Sequence, residues 1–161
     1  MPEKDIKVEV KLVEKQKKTL PELHQKLIER ALEARELSYA PYSNFPVGAA
    51  VLLIDETVVI GNNQENAAYP SGLCAERTAL FASRAQYPNQ KVTALAVCVK
   101  ESAKHVPFPC GGCLQVIAEV EQSQQAPITI FLIHNDRATV WEANSVKQLL
   151  PFAFGRNHLE A

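Results

Sequence analysis

The order in which strand-like and helix-like patterns follow one another along this chain predicts an α/β domain, a layered sheet with helices on its faces. Two observations predict it, and a third agrees. Pattern segments run α-β-β-α-β-α-β-β-α. The chain is 161 residues long and 47% apolar, enough for one substantial core and little more. No internal repeat or low-complexity stretch interrupts the order.

Residues 1–18 are rich in lysine and glutamate, yet Ile6, Val8, Val10 and Leu12 alternate with Lys7, Glu9 and Lys11. That alternation predicts a strand with one apolar face, which needs a sheet edge to pair with. The alternative is a solvated leader. Thr19-Leu20-Pro21-Glu22 is a helix start, with Thr19 as N-cap, Glu22 completing a capping box and Pro21 near the first turn. Leu23, Leu27, Ile28, Ala31, Leu32 and Ala34 then recur at helical spacing. The helix ends before Pro41, because the residue preceding a proline is pushed out of the α region. Residues 40–46 are a turn-rich loop. Strands follow at Val47–Ile54 and Thr57–Gly61, joined by a polar turn at Asp55-Glu56. A loop from Asn62 to Leu73 leads to a helix over Cys74–Arg84. Val92–Val99 reads as a buried strand, Gly111–Glu121 as a helix, and Pro127–His134 and Thr139–Trp141 as strands. Ser145 caps a short helix ending near Leu150.

Composition excludes several classes of function. There are 17 basic and 18 acidic residues, a net charge of −1, so the chain has no basic surplus for gripping nucleic acid or anionic membrane. Its longest apolar run, Val47–Ile54, falls far short of the roughly 18 residues of a membrane span. The first residues are charged and carry no apolar core of a secretory signal, so a cytoplasmic location is expected. In a reducing compartment the four cysteines, Cys74, Cys98, Cys110 and Cys113, read as a metal or redox site before disulfides.

Cys74 opens one predicted helix, with Glu76 two residues on. Cys110 and Cys113 share a face across the first turn of another. Helix N-termini favour the thiolate that a metal needs. Three thiolates leave the fourth tetrahedral position open, as in catalytic zinc sites. Cys98, inside the buried strand, reads as a small hydrophobe. His24, His105, His134 and His158 lack ligand spacing and read as surface or capping residues, with His24 exposed. Taken alone, Cys110-Gly111-Gly112-Cys113 also fits a redox dithiol; Cys74-Ala75-Glu76 upstream weighs against that.

Cys74-Ala75-Glu76 with Pro109-Cys110-Gly111-Gly112-Cys113 resembles the zinc nucleoside-deaminase signature, with Cys in place of the His of its H-x-E form. Tyr39–Ala50, Asn63–Tyr69, Cys74–Ala79 and Leu149–Gly155 extend the match, over about residues 21–158, to the small homotetrameric cytidine deaminases. The resemblance implies a three-layer α-β-α domain over 19–161 with a mixed five-stranded sheet. Residues 1–18 are then an extension that offers an extra N-terminal strand. It also implies one Zn2+ per chain on Cys74, Cys110 and Cys113, with Arg77 donating to a cysteine sulfur. Glu76 is the proton carrier, and the Ala75 N–H meets the pyrimidine O2. Asn63 and Glu65 bind the ribose 3′-hydroxyl, Phe45 lines the base pocket, Tyr69 reaches the sugar, and Phe154 closes the site from a neighbouring subunit. Phe152 is expected in the core. The implied substrate is a nucleoside, and the implied assembly is a homotetramer with active sites at subunit interfaces. Asn62, where many relatives have Cys, and the 69–73 stretch depart from the family pattern. The competing readings are a deaminase of a modified cytosine nucleoside such as blasticidin S, and a non-catalytic zinc or thiol module. Nucleic-acid editing lacks a basic groove.

Overall fold

Val92–Val99, apolar at nearly every position, forms the strand around which the domain is layered. The computed structural model describes residues 5–100 and 105–159. Among them, in order, are β1 (Val13–Gln16), α1 (Glu22–Glu36), β2 (Val47–Leu53), β3 (Val58–Asn62) and α2 (Ala75–Gln86). Then come β4 (Val92–Val99), α3 (Gly111–Gln124), β5 (Thr129–Ile133) and β6 (Thr139–Ala143). The described strands make one six-stranded sheet in the order β1-β6-β5-β4-β2-β3. Only β4 and β5 pair in parallel, which requires a crossover, and α3 is that crossover.

Successive residues of β4 serve opposite layers. Leu95 and Val97 pack with Ala79 and Leu80 of α2 and Ile117 of α3, whereas Ala94, Ala96 and Cys98 pack with Leu27, Ile28 and Ala31 of α1. A strand covered on both faces must be apolar throughout, which is why its sequence runs without alternation. Two glycines let the helices approach the sheet. A Cβ on Gly48 would lie 2.1 Å from the Ala31 carbonyl oxygen, and one on Gly61 would lie 2.3 Å from the Ala79 nitrogen.

The sheet has one strand more than the five expected of the deaminase-like domain, and it comes from within residues 1–18, the segment expected as an extension. It does not come from Ile6–Leu12, which have no regular structure and leave Ile6 82% exposed. The paired segment is Val13–Gln16, antiparallel to β6. Polar cross-strand partners explain the shift. Lys15 Nζ lies 2.7 Å from Glu142, Trp141 Nε1 donates to Glu14 at 2.8 Å, and Gln16 Nε2 donates to Thr139 Oγ1 at 3.3 Å.

Three local expectations change. The Thr19 capping box does not form. Lys17–Thr19 are one turn of 3-10 helix, Thr19 Oγ1 donates back to the Gln16 carbonyl at 2.8 Å, and Pro21 stands at the N-cap of α1. The helix expected after Ser145 is a single 3-10 turn, Val146–Gln148, with Ser145 Oγ accepting from the Lys147 N–H. Phe152 is not in the core but 73% exposed.

One buried acid on α3 ties down the chain before β5 and after β6. Glu121 accepts from the N–H groups of Ile128 at 2.8 Å and Val146 at 2.9 Å, and from Ser145 Oγ at 2.7 Å.

Candidate active site

Two helix N-termini converge at one end of the sheet. Cys74 is the N-cap of α2 and Cys110 the N-cap of α3, each in extended conformation with no side-chain cap. Their thiols therefore stay available for other partners, and Cys113 reaches the same point from the first turn of α3. The Cys74 and Cys110 sulfurs lie 3.8 Å apart, those of Cys110 and Cys113 3.5 Å, and all three within 4.8 Å. A tetrahedral zinc with Zn–S bonds of about 2.3 Å spaces its sulfurs about 3.8 Å apart. The donor set therefore fits zinc, with one coordination position left over.

Arg77 Nη2 donates to Cys74 Sγ at 3.6 Å. The Cys74 thiol is held down to about 5, chiefly by hydrogen bonding from Cys113 and then by Arg77. Cys113, hydrogen-bonded to Cys74 and then penalised by burial, is pushed upward. Cys98 stands apart: its Sγ donates to the Ala31 carbonyl at 3.2 Å, and burial raises its thiol to about 11. Glu76, in the first turn of α2, is 4% exposed, and that burial raises its carboxyl above the usual range.

The cluster borders a cavity of about 990 Å3. Cys74, Cys110, Glu76 and Arg77 line it together with Phe45, Asn63, Glu65 and Tyr69. Cys113 and Ala75 sit behind the wall, fully buried. Asn63 is a strut between neighbours: its Oδ1 accepts from the Val47 N–H at 2.8 Å and its Nδ2 donates to the Phe45 carbonyl at 3.0 Å. Glu65 accepts from the Tyr42 N–H at 2.9 Å, the Ser43 N–H at 3.2 Å and the Ser43 hydroxyl. Those bonds, led by the Ser43 hydroxyl, hold its carboxyl below the usual range. Lys100 Nζ stands 5.1 Å from the centroid of the half-buried Phe45 ring. Tyr69 is 76% exposed at the rim, edge-on to Tyr42.

Phe154 is not brought to this cavity. It is 57% exposed and stacks on His158. His105 and Phe108 do line the cavity, and no sequence signal singles them out beyond their position before Pro109-Cys110. His24, expected on the surface, is half-buried against Phe131, with ring centroids 4.9 Å apart.

A family model described as the cytidine and deoxycytidylate deaminase zinc-binding region matches residues 21–129. The chain belongs to the cytidine deaminase family. Within that family it is similar to the cytidine deaminase of Halalkalibacterium halodurans, with 44% identity over 130 residues, covering 81% of this chain and 92% of that protein. The cytidine deaminase of Mycobacterium tuberculosis is 37% identical, over 80% of this chain and 87% of its own. The crystal structure of cytidine deaminase from Burkholderia pseudomallei matches with a TM-score of 0.71 and 40% identity, covering 81% of this chain and 98% of that one. Zinc binding is thus a property of the family, and the three cysteines form a site whose spacing suits it. Among the described residues, no helix is long and apolar enough to cross a membrane.

Proposed function

We propose that this chain is a zinc-dependent hydrolytic deaminase. It converts cytidine and 2′-deoxycytidine to uridine and 2′-deoxyuridine, with release of ammonia, in cytoplasmic pyrimidine salvage. The observation that carries this is the convergence of three thiols and one buried carboxyl, Glu76, at a cavity with room for a nucleoside. Residues 19–161 are the catalytic domain, and 1–18 are an extension of it.

Cys74, Cys110 and Cys113 hold one zinc per chain, which when bound supplies the Lewis acidity that makes water a nucleophile near neutral pH. Arg77 offsets the negative charge of the thiolates by donating to Cys74 Sγ. Glu76 moves the protons. Its carboxylate takes one from the attacking water as the oxygen bonds to C4 of cytosine, and passes it to N3. It then carries the second proton from that oxygen to the amino group. The C4–N bond breaks, ammonia leaves, and the C4 carbonyl of uracil remains. Burial, which favours the protonated form of Glu76, suits it to hold a proton between these steps. As the first residue of α2, Ala75 has an N–H without an intrahelical acceptor, the donor for the pyrimidine O2 once the base is seated, although the residue is fully buried in this structure.

The sugar is read by what Asn63 and Glu65 have left. Asn63 keeps one amide hydrogen after bonding Phe45. A carboxylate offers about four lone-pair sites; Glu65 uses three of them on residues 42–43, which leaves one for a hydroxyl donor. Phe45 packs on the base and Tyr69 flanks the 5′ side. Phe154, remote from its own cavity, closes that of a neighbouring subunit in a homotetramer.

The test is zinc content together with loss of cytidine absorbance. About one zinc per chain and conversion to uridine are expected, with Glu76→Gln keeping the zinc and losing on the order of 100- to 10,000-fold in kcat. Zinc-loaded protein that leaves both nucleosides unchanged would overturn the proposal.

A further inference from the structure

Trp141 is the chain's single tryptophan. It lies on β6, outside the cavity, and three groups confine its indole. Glu14 of β1 accepts its Nε1–H at 2.8 Å. The Phe108 ring meets it edge-on at 5.9 Å, and the His134 imidazole does so at 5.4 Å. Phe108 in turn lines the 990 Å3 cavity together with His105 and Val106, one residue before the Pro109 that leads into Cys110. A continuous line of contacts therefore runs from the N-terminal strand, through one indole, to the wall of the cavity.

We infer that β1 and Trp141 position the wall of the nucleoside site: Glu14 fixes the indole, and the indole fixes Phe108. This rests on the deaminase reading of the cavity. Phe108 is 54% exposed, and in a cavity this open an aromatic wall has few neighbours to hold it. The indole edge is one of them, and the indole is itself held by its bond to Glu14 on the paired strand β1. Glu14 and Trp141 touch no reacting atom. They are positioning residues, and they give the extension a role in binding that is separate from turnover.

The arrangement supplies its own probe. Uridine, the unreactive product, should change the emission of Trp141 saturably, with the dissociation constant that calorimetry gives. Trp141→Ala should raise both the uridine dissociation constant and the cytidine KM by about threefold to tenfold while kcat stays within about twofold. Trp141→Phe, which keeps an aromatic edge for Phe108, should recover most of that loss. Glu14→Ala, at an exposed position, should raise KM by about twofold with zinc content unchanged, and it keeps the test alive should the Trp141→Ala variant not fold. The inference is overturned if wild-type protein turns over cytidine and binds uridine calorimetrically while Trp141 emission stays constant. It is equally overturned if the variants lose kcat and zinc together with KM unmoved, which marks a merely structural role. Absence of any turnover in wild-type protein would instead sink the deaminase reading.

Discussion

Replacing Glu121 with alanine should be among the most damaging single changes outside the cavity. The side chain is 8% exposed, and its carboxylate satisfies two backbone N–H groups, those of Ile128 and Val146, on residues 0% and 2% exposed. Removing the acceptor strands both donors in the core. Each buried unpaired donor costs about 1–3 kcal/mol, so the pair amounts to about 2–6 kcal/mol before any cavity term. That is a large part of a domain's usual stability of about 5–15 kcal/mol. Glu121→Gln discriminates the cause. Its amide oxygen can take over from Oε1, which receives both N–H groups, and its amide nitrogen can donate to Ser145 Oγ, which rotates to accept. The glutamine variant should therefore lose less than about 2 kcal/mol. Urea unfolding of the zinc-loaded protein, followed by far-ultraviolet circular dichroism at fixed subunit concentration, measures both. An alanine variant within about 1 kcal/mol of wild type would refute the reasoning. A glutamine variant as weak as alanine would show that charge, not acceptor geometry, does the holding.

Other outcomes follow from neighbouring features. Gly61→Ala should cost at least about 1–3 kcal/mol, because its methyl group meets the Ala79 backbone nitrogen at 2.3 Å and backbone cannot swing aside; thermal unfolding reads it. Arg77→Leu should weaken zinc retention by about 10- to 100-fold in chelator competition, since Cys74 Sγ loses its donor at 3.6 Å. His24 has a folded pKa below its ordinary 6.5, first through desolvation by burial against Phe131 of β5, with Glu142 opposing and Lys15 reinforcing. Below pH 6.5 the unfolded chain takes up a proton that the folded chain refuses, so stability present above that pH falls as acid is added. His24→Gln should flatten the decline of Tm between pH 7.5 and 5.5; parallel declines in the two proteins would count against it.

What the sequence showed and what it hid divide along chemical lines. Cys74, Cys110 and Cys113 were legible because metal chemistry fixes residue type and spacing, and the helix starts that orient them were written nearby. β4 was legible to the residue, because a strand covered on both faces leaves an unbroken apolar run. β1 was not. Val13–Gln16 have almost no apolar alternation, and their register depends on Glu142, Trp141 and Thr139, partners more than a hundred residues away in the chain. The apolar alternation that did stand out, at Ile6–Leu12, lies outside the β1–β6 ladder, which pairs only Val13–Gln16. Thr19 carried a sound cap signal, but a 3-10 turn took its hydroxyl first. In the site, the double duty of Asn63 and Glu65, bracing residues 42–47 as well as facing the cavity, depends on loop geometry that no local pattern encodes.

The β1–β6 pairing joins residues that stand 123 to 129 apart in sequence, from Gln16 with Thr139 to Val13 with Glu142. During synthesis β1 leaves the ribosome well before β6, and it cannot pair until β6 has followed it. Until then the outer row of β6 amides and carbonyls lies open, the kind of edge that recruits foreign strands. The loop that β1 must close is long, so its entropic advantage over an intermolecular encounter is small. In crowded refolding, the β1 of one chain therefore competes for the β6 of another, and strand-exchanged dimers are the misassembly this topology invites.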